Sequence, residues 1–241
     1  MHPARFYKQL NQNTVQCRLC NRFCAISNGQ VGKCRTRKNV NGKLYSLIYG
    51  YPIALNIDPV EKKPLFHFMP GSFTYSLGAL GCNFFCANCQ NWDISQARDI
   101  ENKVKSMEFF DPERIVKEAI ENECESISYT YIEPTIFTEY ALDIMKLAKQ
   151  KGLKNIWVSN GFMSNECLDA IIPYLDAINI DLKSMDDDFY KDNCGARIQP
   201  VLNNIKQIKK ADIHLEVRAP LVRKGRFLLS CISQTPASPS A

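Results

Sequence analysis

Apolar and polar residues alternate from residue 73 onward in a pattern that predicts strands and amphipathic helices in turn. Short apolar runs rich in β-branched residues predict strands, and the segments between them have one apolar face at helical spacing. The predicted strands cover residues 73–80, 126–131, 156–159, 177–182 and 213–217, and the predicted helices begin near residues 112, 138, 165 and 200. This alternation is typical of a parallel sheet with right-handed crossovers. We therefore predict an α/β fold, and five units favour a partial barrel over a closed one of eight strands.

The first 71 residues show turns and short strands instead of long periodic runs. They contain Cys17, Cys20, Cys24 and Cys34 in the segment CRLCNRFCAISNGQVGKC. The spacing of the first pair is common in zinc sites, whereas the rest of the spacing fits no common zinc finger. We expect these thiols to bind zinc or a second iron–sulfur cluster, and free or oxidised thiols are the alternative.

Composition and charge narrow the function classes. The chain has 241 residues, 45% of them hydrophobic, and a net charge of +5, which is ordinary for a globular protein. Because no Lys/Arg-dense stretch contains interleaved aromatic residues, we expect no nucleic-acid partner. The sequence contains neither an apolar run of about 18–20 residues nor the apolar core of a signal peptide, so we expect no membrane association and a cytoplasmic protein. Its eleven cysteines then favour metal ligation over disulfides, since the cytosol keeps thiols reduced.

The strongest chemical signal is the segment GCNFFCANCQNW, which directly follows a predicted strand. It contains Cys82, Cys86 and Cys89. Three thiolates can hold three irons of a [4Fe–4S] cluster and leave the fourth iron open to a small molecule. Zinc is the chemical alternative, but the loop has no fourth ligand nearby. The spacing therefore favours a cluster with one open iron.

Polar residues follow the other predicted strands. Glu133 follows the second, Ser159 and Asn160 follow the third, and Asp181 and Lys183 lie at the end of the fourth. The carboxyl ends of barrel strands meet at one face, so we expect these side chains near the cysteine loop. An open iron can bind the amino and carboxylate groups of S-adenosylmethionine (SAM). We expect Glu133 to accept from the SAM ammonium and the Asp–Lys pair to contact SAM or to form a structural ion pair.

The motif CNFFCANC resembles the signature of the radical SAM superfamily. Further blocks, among them DPVEKKPLFHFMPGS, YTYIEPTIF, VSNGFMS, INIDLKS and FYKDNCGA, resemble the AmmeMemoRadiSam-system radical enzymes, which are relatives of pyruvate formate-lyase activating enzyme. The resemblance spans residues 15–217. It implies a partial (β/α)6 barrel, a [4Fe–4S] cluster on the three loop cysteines, and SAM on the open iron. It also implies contacts to SAM from Glu133, Ser159–Asn160 and Asp181–Lys183.

The resemblance extends to partners and activity. It implies an electron donor of the flavodoxin or ferredoxin type, and it suggests a Memo-like protein or another protein as substrate or partner. The expected activity is reductive cleavage of SAM to a 5′-deoxyadenosyl radical that attacks an unidentified substrate. One alternative is an activase that places a glycyl radical on a partner enzyme. The other is a truncated protein that binds the cluster without activity.

The sequence departs from the family pattern in two places. After residue 217 it continues as RAPLVRKGRF and a Ser/Pro/Ala tail, so we expect a truncation or frameshift that removes the last barrel unit. Val158 stands where the activating enzymes have an acidic residue, which argues against a cation site of that type. The predicted divisions are a Cys-rich section and loop at 1–71, an incomplete radical SAM barrel at 72–217 and a disordered tail at 218–241.

Overall fold

The computed structural model describes residues 1–223 and 226–233. The strands are β1 His2–Pro3, β2 Tyr7–Asn11, β3 Thr14–Cys17, β4 Ala25–Ser27, β5 Arg37–Val40, β6 Lys43–Ser46, β7 Ala54–Pro59, β8 Phe73–Gly78, β9 Ser126–Tyr129, β10 Lys154–Ser159, β11 Ala177–Asp181, β12 His214–Arg223 and β13 Arg226–Ser233. The α-helices are α1 Trp92–Ser95, α2 Ile100–Lys103, α3 Pro112–Glu121, α4 Thr138–Gln150, α5 Asn165–Ile171, α6 Asp187–Cys194 and α7 Ile198–Lys210.

One seven-stranded sheet organises the chain, in the order β13-β12-β11-β10-β9-β8-β7. The five strands from β8 to β12 run parallel, whereas β7 and β13 pair antiparallel at the two edges. The α/β fold class is therefore confirmed, and the five predicted strands are the five parallel ones. The edge strand β7 was not predicted: its sequence, ALNIDP, alternates over only four residues and ends at a proline, which makes the strand signal weak.

The helices begin where their capping residues predict. The carboxylate of Asp111 accepts a hydrogen bond of 2.7 Å from the Arg114 backbone N–H, and Pro112 occupies the first turn of α3. Helix α4 has the predicted bounds, 138–150. Helix α5 ends at Ile171, earlier than the predicted 175, because Pro173 lacks the N–H of a regular helix and lies in a 3-10 turn.

The N-terminal section forms two small antiparallel sheets, ordered β1-β6-β5 and β2-β3-β4. They lie beside the large sheet and share its core: Val15 and Leu19 are fully buried in the same cluster as Phe84 and Ile136. No helix within the described residues is both long and apolar enough to cross a membrane.

The segment predicted as a disordered tail is partly a hairpin. Strand β12 continues beyond residue 217 to Arg223 and pairs antiparallel with β13. Leu221, Val222 and Phe227 are residue types that favour strands, and this accounts for strands where the sequence predicted disorder. Residues 224–225 and 234–241 of that segment lie outside the described residues. The division of the chain at 71 and 217 stays a prediction.

Candidate active site

The three predicted cluster ligands lie in the segment of residues 79–91 that joins β8 to α1, here called the cluster loop. Its backbone is fixed to α6, since the N–H groups of Phe85 and Ala87 donate to the carbonyl oxygens of Cys194 and Asn193 at 3.0 and 2.9 Å. At the start of the loop, the Phe84 N–H donates to the Cys82 sulfur at 3.4 Å. The loop therefore has a defined shape built on neighbouring elements.

Gly81, directly before Cys82, permits a close approach to the N-terminal section. Its φ angle is +96°, and an added Cβ would lie 2.6 Å from Thr36 Cγ2 and 2.8 Å from the Cys34 carbonyl oxygen. Any other residue would combine a left-handed backbone with a steric clash. Glycine at this position thus lets the cluster loop contact the backbone that carries Cys34.

Glu133 lies just beyond the end of β9 and is almost completely buried. Its Oε1 accepts hydrogen bonds from the N–H and hydroxyl of Thr135 and, at 2.8 Å, from the hydroxyl of Ser159, while its Oε2 accepts from the Asn160 N–H at 2.7 Å. Burial raises the pKa of this carboxyl, and the hydrogen bonds from Thr135, Asn160 and Ser159 oppose that shift. The carboxylate joins the ends of β9 and β10, and its predicted contact with the SAM ammonium stays a prediction.

Asn160 extends this network to the cluster loop. Its side-chain N–H donates to Asn83 Oδ1 at 2.7 Å, and its own Oδ1 accepts from the Phe162 N–H at 3.0 Å. Asn83 is fully buried next to Cys82. Burial, together with the nearby charge of Glu133, raises the pKa of the Cys82 thiol. One hydrogen-bonded chain thus runs from Glu133 to the residue adjacent to a predicted ligand.

Asp181 and Lys183 form an ion pair of 2.8 Å at the end of β11. Burial disfavours the ammonium charge, but Asp181 and the neighbouring Cys86 together raise the pKa of Lys183. A hydrogen bond from the Cys194 thiol, with a further contribution from Lys183, lowers the pKa of Cys86. The predicted pair is therefore an ion pair, and its lysine lies beside a predicted cluster ligand.

The three loop thiols do not form a preassembled site for a single ion. No group of three or more His, Cys, Asp or Glu side chains in the described part of the chain is arranged to hold a metal ion. Each thiolate of a cubane binds a different iron, so cluster ligands stand apart around the cluster instead of meeting at one point. Cys82, Cys86 and Cys89 are all partly exposed, and the charges of Cys86 and Cys89 act on Cys82.

Residues 78–224 match the family model of the radical SAM superfamily. This chain belongs to the radical SAM superfamily. The match begins at the end of β8 and includes the cluster loop and every strand that supplies a predicted cofactor contact. The superfamily consists of enzymes, and membership implies a [4Fe–4S] cluster and SAM as cofactors.

Three known proteins are similar to this radical SAM chain. Uncharacterized protein MJ0808 of Methanocaldococcus jannaschii is 45% identical over 217 residues, which cover 90% of this chain and 63% of that protein. A domain of pyruvate-formate lyase-activating enzyme from Bacteroides vulgatus is 27% identical, with a TM-score of 0.37 and coverage of 40% of this chain and 60% of that one. Streptococcus suis SuiB bound to S-adenosylmethionine is 14% identical, with a TM-score of 0.47 and coverage of 61% and 33%. The chain thus spans less than two thirds of each of these proteins.

The structure brings the predicted radical SAM site residues to one edge of the sheet. Glu133, Ser159 and Asn160 are in direct contact, and Asn83 joins them to the cluster loop. Asp181 and Lys183 form a second group beside Cys86. The individual roles of these residues stay predictions. Trp92, which follows the loop and was a candidate to shield the cluster, has 68% of its surface exposed.

Two residues near the loop were missed from the sequence. Asn83 links Asn160 to the cluster loop, and its position directly after Cys82 was an available signal. Cys194, in the last turn of α6, lowers the pKa of Cys86. Nothing local to the sequence connects it with a residue more than a hundred positions earlier, because that contact depends on how α6 packs.

Proposed function

We propose that Cys82, Cys86 and Cys89 bind a [4Fe–4S] cluster and that SAM occupies its fourth iron. When bound, the two cofactors supply one-electron cleavage of a carbon–sulfur bond and a 5′-deoxyadenosyl radical, which abstracts hydrogen from a substrate. The observation that carries this proposal is a cysteine loop hydrogen-bonded to the segments that follow β9 and β10, with the Asp181–Lys183 ion pair at the end of β11. In barrel-type folds that edge of the sheet is where active sites are built.

The chain's own residues would position these cofactors. Glu133 Oε1 already accepts three hydrogen bonds, whereas Oε2 accepts one. A carboxylate oxygen has two lone pairs, so Oε2 can accept one more donor, for which the ammonium group of SAM is suited. Ser159 and Asn160 hold that carboxylate in place. Lys183 places a positive charge beside the Cys86 sulfur, which stabilises its thiolate form, and Asp181 fixes the lysine.

Cluster loading and SAM cleavage can be measured on the same sample. After anaerobic reconstitution, we expect the wild-type chain to bind about four irons at the loop and to release 5′-deoxyadenosine when reduced with SAM. The Cys86→Ala variant should lose both, whereas Cys124→Ala, which removes a buried thiol of the segment before β9, should retain both. If Cys86→Ala kept the cluster and the cleavage, the assignment would be wrong. A loaded wild-type chain that forms no 5′-deoxyadenosine would instead support the inactive alternative.

The AmmeMemoRadiSam branch and a protein substrate are further parts of this proposal. A Memo-like protein is the suggested partner, and the activase alternative replaces it with a glycyl-radical enzyme. Both suggested partners rest on the resemblance of blocks such as YTYIEPTIF and INIDLKS to the AmmeMemoRadiSam-system radical enzymes. Electron paramagnetic resonance of the partner after incubation with loaded enzyme, SAM and reductant separates them, since only an activase leaves a glycyl radical.

We also propose that an acidic electron donor of the flavodoxin or ferredoxin type docks beside the cluster loop. An open cavity of about 970 Å³ reaches Phe85, which lies between two of the predicted ligands. Its charged lining residues are Arg22, Lys33, Arg35, Lys191 and Arg197. No acidic side chain among the described residues lines it. Lys191 and Arg197 pair with acidic residues of α6, so the charges of Arg22, Lys33 and Arg35 are the ones that attract an anionic partner and accelerate its association.

Charge reversal tests this docking surface. We expect Lys33→Glu to slow cluster reduction by an acidic flavodoxin several-fold at low salt, with the difference shrinking as ionic strength rises. Lys117→Glu, a reversal on the exposed surface of α3, is the matched control and should have little effect. Chemical reduction by dithionite should be the same in all three proteins. Equal rates with flavodoxin for both variants would refute the docking site and leave the cluster assignment intact.

A further inference from the structure

The four N-terminal cysteines surround one small enclosed cavity. Cys17, Cys20, Cys24 and Cys34 all line this space of about 20 Å³. Leu19, Phe23 and Ile136 contribute apolar walls. That volume is close to the minimum that holds one water molecule. It therefore has the size for a single ion and is too small for a four-iron cube.

The backbone brings these cysteines together through two turns. Cys17 ends β3 and its N–H donates to the Cys24 carbonyl oxygen at 2.9 Å, which joins β3 to the start of β4. Between them the chain reverses at Phe23, whose φ angle is +45° and whose N–H donates to the Cys20 carbonyl oxygen. Cys34 reaches the same cavity from the loop before β5. We call this segment, residues 17–37, the cysteine knuckle.

Three buried donors around the cavity lack acceptors. Arg22 Nη2, Arg37 Nε and Asn83 Nδ2 are buried and have no hydrogen-bond partner among the described residues, and all three residues line the cavity. Unpaired buried donors are rare and costly. Thiolate sulfurs would provide the missing acceptors, and the charge of Arg22 would offset part of their negative charge, since the charge of Arg37 is paired with Glu139. The unpaired N–H donors therefore make this cavity suited to thiolate side chains.

We propose that Cys17, Cys20, Cys24 and Cys34 bind one Zn²⁺ ion in a structural site separate from the [4Fe–4S] cluster. Four thiolates at about 2.3 Å form the usual tetrahedral shell of structural zinc. The thiols are not already arranged as a metal site, so each must lose its proton and turn toward the ion when it binds. Four thiolates and Zn²⁺ carry a net charge of −2, which the unpaired N–H donors of Arg22, Arg37 and Asn83 stabilise.

This zinc site would brace the cluster loop. The Cys34 carbonyl oxygen meets Gly81, and Asn83 belongs to both the zinc cavity and the hydrogen-bonded chain to Glu133. Arg22 also donates through Nε to the Asn83 carbonyl oxygen. Zinc would therefore fix the knuckle against the start of the loop that carries the predicted cluster ligands.

Metal analysis of the full chain tests the proposal. Protein purified without added metal should contain about one zinc per chain, measured by inductively coupled plasma mass spectrometry together with iron. Cys20→Ser and Cys24→Ser should each lower zinc at least about tenfold and leave reconstituted iron unchanged. Cys124→Ser is the matched control and should keep its zinc. In wild type, Co²⁺ in place of zinc should give the thiolate charge-transfer and d–d absorption of a tetrahedral site, and the variants should lose it.

Two results would overturn the zinc site. Iron beyond one cluster that disappears in Cys20→Ser would establish a second cluster and overturn the zinc site. Wild-type protein with no zinc and no Co²⁺ absorption would also overturn it. If the serine variants do not fold, chelation of zinc from the wild type followed by Co²⁺ titration decides the same question. A Cys82→Ala/Cys86→Ala/Cys89→Ala variant that retains zinc shows that the result does not depend on the cluster assignment.

Discussion

The two cysteine-rich regions of this chain differ in how much space they leave around their sulfurs. The cluster loop lies at the edge of the large sheet, next to exposed Trp92, and its Phe85 reaches a wide basic cavity that is lined mainly by the outer side of the knuckle, including Cys24. The cysteine knuckle closes around a space of about 20 Å³. A cofactor that must admit SAM and an electron requires access, whereas a structural metal requires enclosure. Under our two proposals, one fold would hold thiols for two different purposes.

The two regions are nevertheless in contact. Gly81 touches the backbone of Cys34, and Asn83 lines the knuckle cavity while accepting from Asn160. At the end of the knuckle, Arg37 forms a bidentate ion pair with Glu139 on α4, with N···O distances of 2.8 and 2.7 Å. Variants at these contacts therefore measure how far the behaviour of one region depends on the other.

The largest expected effect on stability comes from breaking the buried ion pair between Arg37 and Glu139. Both side chains are 1% exposed, so Glu139→Gln leaves the Arg37 charge buried without its partner. We expect a loss of about 3–5 kcal/mol in the free energy of unfolding, measured by denaturant titration of the cluster-free protein. Glu121→Gln breaks the exposed pair with Lys117 and should cost less than about 1 kcal/mol. Equal losses in the two variants would contradict this account.

The next effect comes from the contact between the two regions. Gly81→Ala combines the left-handed backbone with a clash against Cys34 and Thr36, so we expect a loss of about 2–4 kcal/mol. Gly152→Ala is the matched control, because its φ angle is +82° and its added Cβ would meet nothing within 4 Å. It should cost only about 1–2 kcal/mol. The difference between the two, by thermal unfolding, isolates the clash, and no difference would refute the close approach.

A third prediction concerns acid sensitivity on the cluster-loop side. Burial disfavours the charge of Asp58, but hydrogen bonds from Lys62, Lys63 and Tyr131 hold the pKa of its carboxyl well below the usual value. The carbonyl of Tyr131 in turn accepts from Asn91 at the end of the cluster loop. Because the folded-state pKa is lowered, this stabilisation is complete above the unfolded-state pKa of about 4 and is lost as pH falls below it.

The test is the pH dependence of unfolding in wild type and Asp58→Asn. We expect the variant to be less stable by roughly 2–3 kcal/mol at neutral pH. The difference should shrink between about pH 4 and pH 2, because the unfolded chain binds a proton at Asp58 there while the folded chain does not. A difference that stays constant over this range would show that Asp58 does not contribute through its charge.

The smallest effect is expected at Cys194, which tests whether the cluster loop has only three ligands. We interpret this thiol as a hydrogen-bond neighbour of Cys86 and not as a ligand. Cys194→Ser preserves a donor at that position, so the cluster content should remain within about 10% of wild type, by iron and sulfide analysis. Loss of the cluster in Cys194→Ser, with Cys124→Ser unaffected, would make Cys194 a ligand and close the site that SAM requires.

The sequence was sufficient for those features that depend on residues close together in the chain. The caps and apolar faces predicted the starts of α3, α4 and α5, and the bounds of α4 are those predicted. The strand–helix alternation predicted the α/β class, the cysteine spacing after β8 predicted a three-thiolate cluster site, and the resemblance of CNFFCANC to a family signature predicted the superfamily. Each of these signals is complete within a few residues, because turns, helix faces and metal-ligand spacings are local properties.

Only the tertiary structure decided the features that join distant segments. Glu133 is buried and accepts hydrogen bonds from Ser159 and Asn160, because the end of β10 lies beside it. The edge strands β7 and β13 depend on the backbone of β8 and β12. The knuckle cavity needs Asn83 and Ile136 from the large domain to close. The local sequence pattern determines which helices and strands form. Which elements pack against each other, and which residues surround each thiol, depend on how the whole chain buries its apolar surface.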